Sequence, residues 1–193
     1  MTRRIVFLLE ERSMKFFLEG LLPRIFPGTR LNESFICVTH EGKQDLERSL
    51  PRKLRAWNHP DVFIIIRDQD TEDCQALKER LFDLCKTGGK PDSIVRIACR
   101  ELEAWYLGDP DALAAAFENP ALSTIGDKAR YRDPDTVATP SRELSRLEPK
   151  FQKLSGARLM ATHISRENNR SNSFRVLLDT IRRIVESPKA NCD

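Results

Sequence analysis

Val62-Phe63-Ile64-Ile65-Ile66-Arg67-Asp68-Gln69-Asp70 runs five apolar, mostly β-branched residues into two acids spaced i, i+2. A continuous apolar run of this length predicts a central strand buried on both faces. In an open α/β sheet, ligands are bound just beyond the carboxyl ends of such strands. The two carboxylates therefore mark the expected floor of an active site. A helical pattern follows from Thr71, and Asp70 is also placed to cap it.

Outward from that strand, the same alternation repeats. Ile5 to Leu9 reads as a first strand ending at Glu10-Glu11. Ser13 reads as an N-cap, followed by Met14, Phe17, Leu18, Leu21, Leu22 and Ile25 at helical spacing, with Pro23 expected to bend or break the helix. Phe35 to Val38 makes a second strand, ending at Thr39-His40-Glu41-Gly42-Lys43, and Leu46, Leu50, Leu54 and Trp57 mark the next helical face. Pro51 inside that face predicts the start of a new segment. After the third strand, Leu77, Leu81 and Leu84 lie on a helix that stops at Gly88-Gly89. A fourth strand, Ile94 to Cys99, leads into Arg100-Glu101-Leu102-Glu103-Ala104-Trp105.

This order predicts an α/β fold: a mainly parallel sheet of about four or five strands flanked by helices. Residues 109–154 change character, with five of the eleven prolines and short helical pieces at Asp111–Phe117 and Ser141–Leu147. They read as a capping insertion in a single domain whose core is about 1–108 and 155–187. Residues 157–164 fit either strand or helix. Phe174, Leu177, Leu178, Ile181, Ile184 and Val185 form a terminal amphipathic helix.

Three strands thus end in acids: Glu10 with Glu11, Asp68 with Asp70, and Glu101 with Glu103. Strand tips on one sheet edge lie about 5 to 10 Å apart. Carboxylates that close raise one another's pKa unless a cation neutralises them. Oxygen-only ligands suit Mg²⁺ or Mn²⁺, which clamp phosphate oxygens and orient water. The plainer reading makes Asp70 a cap and Glu10 and Glu11 first-turn acids; supply from three separate segments favours the metal.

A second constellation, Asn168-Asn169-Arg170-Ser171-Asn172-Ser173, precedes the terminal helix. Asn169, Arg170, Ser171 and Ser173 suit a phosphate, and equally suit a simple helix cap. Lys43 after Gly42 reads as a phosphate ligand or a solvated cation. Arg67 reads as an ion-pair partner of the acids or a phosphate contact. Lys128, Arg130, Arg132 and Lys153, interleaved with Tyr131 and Phe151, suggest a surface for single-stranded nucleic acid, although Asp127, Asp133 and Asp135 offset the charge.

The formal charge of +3 is too small to imply a nucleic-acid partner by itself. No run approaches the roughly 18 apolar residues of a membrane span, and the N-terminal apolar run is too short for a signal peptide. Five cysteines (Cys37, Cys74, Cys85, Cys99, Cys192) contain no C-x-x-C pair, which predicts a reduced, cytoplasmic protein without zinc. The histidines, His40, His59 and His163, are scattered. P-loop, dinucleotide and G-x-S-x-G fingerprints are absent.

An acid after strand one and D-x-D after a hydrophobic strand resemble the Toprim domain. That domain carries Mg²⁺-dependent nicking, cleaving or joining sites in topoisomerases, primases and overcoming-lysogenization-defect nucleases. The chain resembles the DUF4276 family more closely, through Phe7-Leu8-Leu9-Glu10-Glu11-Arg12-Ser13-Met14-Lys15, Glu19-Gly20-Leu21-Leu22-Pro23, Glu41-Gly42-Lys43, Arg67-Asp68-Gln69-Asp70, Glu101-Leu102-Glu103-Ala104-Trp105 and Asn169-Arg170-Ser171-Asn172-Ser173-Phe174. The resemblance implies that Glu10 is an acid/base or metal ligand, that Asp68 and Asp70 bind metal, and that Glu103 is the acid of an E-x-W motif. Glu11 stands where many Toprim-like nucleases have Gly, and Met14 where they have a second acid; Glu11, Glu101 or Glu103 would compensate.

The resulting expectation is a Mg²⁺- or Mn²⁺-dependent nuclease acting on DNA or RNA. The resemblance implies a role in anti-phage defence beside an ABC- or SMC-like ATPase; a homodimer is allowed. A non-catalytic adaptor for an ATPase or nucleic acid, and a phosphatase of small metabolites, are the competing expectations.

Overall fold

The computed structural model describes residues 4–186. Its sheet has four parallel strands: β1 (Ile5–Leu9), β2 (Phe35–Thr39), β3 (Val62–Asp68) and β4 (Ile94–Ala98), in the order β2-β1-β3-β4. Alternation along the strands feeds two cores. Ile5, Phe7, Leu9, Ile64 and Ile66 face one layer, Val6, Leu8, Phe63 and Ile65 the other. The second layer is closed by α2 (Lys43–Ala56) and α3 (Cys74–Thr87). The first is closed by α1 (Arg12–Ile25), α4 (Glu103–Leu107), α5 (Pro110–Ala116), α6 (Pro140–Leu147), α7 (Lys153–His163) and α8 (Asn172–Val185). Between α5 and α6 the chain makes short 3-10 turns, and Leu122, Ile125, Tyr131 and Val137 from that stretch enter the same core as β1.

Several local expectations are corrected. Pro23 does not break α1, which continues to Ile25. One missing backbone bond costs about 3 kcal/mol, and the burial of Phe17, Leu18, Leu21 and Leu22 outweighs it. Pro51 likewise lies inside an unbroken α2, because Leu46, Leu50 and Leu54 form one buried stripe across it. Ser13 sits inside α1, and Glu11 holds the N-cap position without a side-chain cap bond. α3 starts at Cys74 rather than Thr71, capped by Asp73, which accepts from the Ala76 amide. Asp70 is not the cap. Its amide donates to the Arg100 carbonyl at 2.7 Å, and its left-handed φ of 54° reverses the chain before the helix can begin. Residues 157–163 are helix, part of α7.

Cys37, Cys74, Cys85 and Cys99 are free thiols, and Cys192 lies outside the described residues. No helix among the described residues is long and apolar enough to cross a membrane.

Candidate active site

The central position of β3, between β1 and β4, gathers acids from three neighbouring strand ends. Glu10 follows β1, and one of its oxygens accepts from the Asp68 amide at 3.3 Å. Asp68 closes β3 opposite Ala98 of β4. Beyond Ala98, a left-handed Arg100 with φ of 63° turns the chain so that α4 begins at Glu103.

These acids divide into two groups with opposite electrostatics. On the outer side they already have cations. The Lys43 ammonium donates to Asp70 Oδ2 at 2.8 Å. Arg67, 1% exposed, binds Glu47 at 2.6 Å, contacts Glu72, and places its Nε 3.7 Å from Glu10. Arg80 joins Glu47 and Glu72 from the surface. The Glu72 carboxyl is held below its ordinary value by the Arg80 hydrogen bond, the largest effect, with Arg67 adding to it against the cost of burial. Burial and the Asp70 charge nevertheless push Glu10 up, against the pull of Arg67.

On the inner side Lys153 is the nearby cation, and it pairs with Glu11 rather than with Asp68 or Glu103. Asp68 is 7% exposed and Glu103 1% exposed. Burial, then the charges of Glu103, Glu10 and Glu11, hold the Asp68 carboxyl well above its usual range, while the Leu102 amide pulls the other way. Burial pushes Glu103 up to about 7 against the opposing pull of Lys153. Neither Glu103 carboxylate oxygen has a hydrogen-bond partner. Lys153 stands 3.7 Å from Glu11, and Glu103, Glu11, Asp68 and Glu101 raise its pKa despite partial burial. Glu101 accepts from the Ser141 amide at 2.7 Å, which ties the start of α6 to the edge.

Among the described residues no three His, Cys, Asp or Glu side chains are arranged as a ready metal cage. The donor chemistry still fits a hard cation. Two buried carboxyl groups, one with both oxygens unpartnered, require either protons or a positive ion. Asp68 and Glu103 would be the protein ligands, with Glu10 beside them.

The serine-rich constellation is elsewhere engaged. Asn169 donates to the Trp105 carbonyl at 2.8 Å, and Arg170 to the Gly126 carbonyl at 2.8 Å. Ser171 caps α8 through the Phe174 amide. The α8 start is filled by Asp135, which accepts from Ser171 Oγ at 2.6 Å, the Ser173 amide at 2.8 Å and Ser173 Oγ at 3.2 Å. Trp105 Nε1 also donates to Ser173 Oγ at 2.8 Å. Arg130 pairs with Glu143, and Lys128 is exposed. Tyr131 and Phe151 are buried, so neither ring offers a face for stacking a base. The structure thus brings together Glu10, Lys43, Arg67, Asp68, Asp70, Glu103 and Lys153, engages Arg130, Asn169, Arg170, Ser171 and Ser173 in contacts of α8 and the insertion, and leaves Lys128 exposed.

Four participants were not visible as such in the sequence. Glu47, Glu72 and Arg80 look like ordinary polar helix positions; Glu47 and Glu72 converge on Arg67 from α2 and from the turn before α3, and Arg80 of α3 bridges the two acids. Tyr106 had a signal: it lies three residues after Glu103, on the same face of α4.

Among curated proteins, nothing matches the chain. The C-terminal region of the Burkholderia pseudomallei OLD protein superposes with a TM-score of 0.55 at 16% identity, covering 96% of this chain and 100% of that one. Two structures of the C-terminal region of the Xanthomonas campestris pv. campestris OLD protein give TM-scores of 0.55 and 0.54 at 16% and 15% identity, covering 95% of this chain and 96% of theirs. The shared architecture is the four-stranded parallel α/β fold of the Toprim type. A family model described as "Domain of unknown function (DUF4276)" matches residues 9–182, and the chain belongs to that family.

Proposed function

We propose that the chain is a divalent-metal-dependent phosphodiesterase that cleaves DNA or RNA. The observation that carries this reading is the buried pair Asp68 and Glu103, raised in pKa and with both Glu103 oxygens unpartnered, at the carboxyl edge of the sheet. Asp68 and Glu103 would hold Mg²⁺ or Mn²⁺, with Glu10, Asp70 and Glu101 around them. Such an ion supplies charge neutralisation at a phosphate and an activated water. The chain's own cations complete the arrangement: Lys43 at Asp70 and Lys153 beside Glu11 are placed to meet a polyanion at the edge. Likeness to the OLD C-terminal region supports the fold of such a nuclease; the resemblance to DUF4276 carries the further reading of an ABC- or SMC-like ATPase partner in anti-phage defence, and the free cysteines that of the cytoplasm.

One observation favours a second reading, a non-catalytic adaptor that docks on an ATPase or nucleic acid. Glu10 and Asp70 already face Arg67 and Lys43, as they would in a site that had exchanged ions for side chains. Mn²⁺ titration followed by melting, with cleavage assays on DNA and RNA, separates the two. The nuclease reading expects Mn²⁺ to raise the melting temperature of wild type, and Asp68→Asn to lose both that rise and cleavage while staying folded. Absence of any Mn²⁺ effect on folded wild-type protein assigns it to the adaptor class.

A further inference from the structure

Tyr106 is fully buried, with 0% exposure, and its ring lies against Phe17 at a centroid distance of 5.4 Å. Its hydroxyl has no hydrogen-bond partner. It shares a face of α4 with Glu103, whose two oxygens are equally unpartnered, while Trp105 between them turns to Ser173. A phenol can donate and a carboxylate accept, yet the two groups do not bond each other. An unpaired buried polar group costs about 1–3 kcal/mol. Packing alone does not explain the hydroxyl, since phenylalanine fills comparable places at Phe7, Phe17 and Phe174 in the same core. The charges of Glu103, Asp68 and Glu11 all bear on the Tyr106 oxygen. A hydroxyl, two carboxyl groups and no bonds among them mark a place built around a further polar group.

We propose that Tyr106 is a positioning residue of the Asp68–Glu103 pair, its hydroxyl hydrogen-bonded to a water of the divalent cation held there. This rests on the metal-dependent reading above. Mg²⁺ and similar ions retain several waters in protein sites, and groups that bind those waters fix the ion without touching it. Tyr106 satisfies its own hydroxyl in the same contact, so the cost of burying it is recovered only when the site is loaded.

Full-length wild type, Tyr106→Phe and Phe17→Leu, each titrated with MnCl₂ by calorimetry and melted without metal, provide the test. Tyr106→Phe keeps the ring and should melt without metal no lower than wild type, while its Mn²⁺ affinity falls about tenfold or more. Phe17→Leu disturbs the packing under the ring and should lower the metal-free melting temperature with Mn²⁺ affinity unchanged. Wild-type affinity in Tyr106→Phe overturns the assignment and leaves the metal reading standing. Equal loss of affinity in both variants also overturns it, in favour of packing. Wild type that binds no Mn²⁺ removes both.

Discussion

Lys43 donates to Asp70 Oδ2 at 2.8 Å, whereas Asp68, two residues earlier, has no cation of its own and is buried beside Glu103. The D-x-D stretch is therefore not a symmetric pair. One acid faces outward into a contact with a lysine. The other faces inward, where desolvation rather than pairing sets its chemistry.

The first prediction concerns that lysine. Lys43 competes with any added cation for Asp70, so Lys43→Met should tighten Mn²⁺ binding on the order of a few-fold at low salt, as expected for removal of one nearby charge. Screening should shrink the difference at high salt. Stability should change by less than about 1 kcal/mol, because the pair is solvent-exposed. Weaker Mn²⁺ binding in the variant would show that Lys43 does not compete with the ion.

Arg67 behaves differently because it is buried among Glu10, Glu47 and Glu72. Removing one partner of a buried ion pair costs about 3–5 kcal/mol. The three acids are partly exposed here, so Arg67→Met should fall near the low end of that range in urea unfolding. The loss should ease in acid: Glu72 has a lowered native pKa, so its stabilisation is present above the ordinary glutamate value and disappears as pH falls through the native one. A loss of under 1 kcal/mol, roughly a surface-pair value, would mean that water replaces the guanidinium.

Much of this architecture was legible because strand burial writes itself into composition. Val62 to Ile66 could be read as a central strand from five consecutive apolar residues, and the β-α alternation then predicted a parallel sheet, though not its strand order. The two prolines misled because local propensity was weighed without the buried stripes that carry α1 and α2 through Pro23 and Pro51. Asp70 looked like a cap because sequence does not show a left-handed φ at a non-glycine residue. The acids of the edge were readable from three strand ends. Their division into paired and unpaired groups was not, because Glu47 reaches Arg67 only once α2 has packed, Glu72 only through the turn after β3, and Arg80 ties those two acids together from α3.

Asp135 offers a third test, because it occupies the α8 start where the sequence suggested a phosphate. It accepts from the Ser173 amide and from two hydroxyls, so it ties the insertion to the terminal helix. Hydrogen bonds to charged groups contribute about 1.5–3 kcal/mol, and Asp135→Ala should destabilise the chain by about that much in denaturant. The same variant leaves the helix start open to an anion. Sulfate or phosphate should then recover part of the loss in Asp135→Ala and leave wild type unaffected. Equal anion effects on both proteins would place the anion elsewhere.

The last prediction follows from Glu103, whose carboxyl is pushed by burial from 4.5 to about 7. Between those values the folded chain keeps a proton that the unfolded chain has lost. Stability therefore falls as pH rises through this window, and levels off above it. Each pKa unit corresponds to about 1.4 kcal/mol, so the fall attributable to Glu103 is on the order of 3 kcal/mol at pH 8. Glu103→Gln has no proton to lose at this position, and its stability should decline less than that of wild type between pH 5 and pH 8. Asp68 is raised for the same reason and interacts with Glu103, so Asp68→Asn should also flatten the profile, and the two effects should not simply add. Saturating Mn²⁺ should flatten the wild-type curve as well, because a bound cation replaces the proton. Urea midpoints of the three proteins at pH 5 and pH 8 decide the matter. Parallel profiles for wild type and Glu103→Gln would show that the inner carboxyl group stays ionised without help, and that some other group carries the pH dependence.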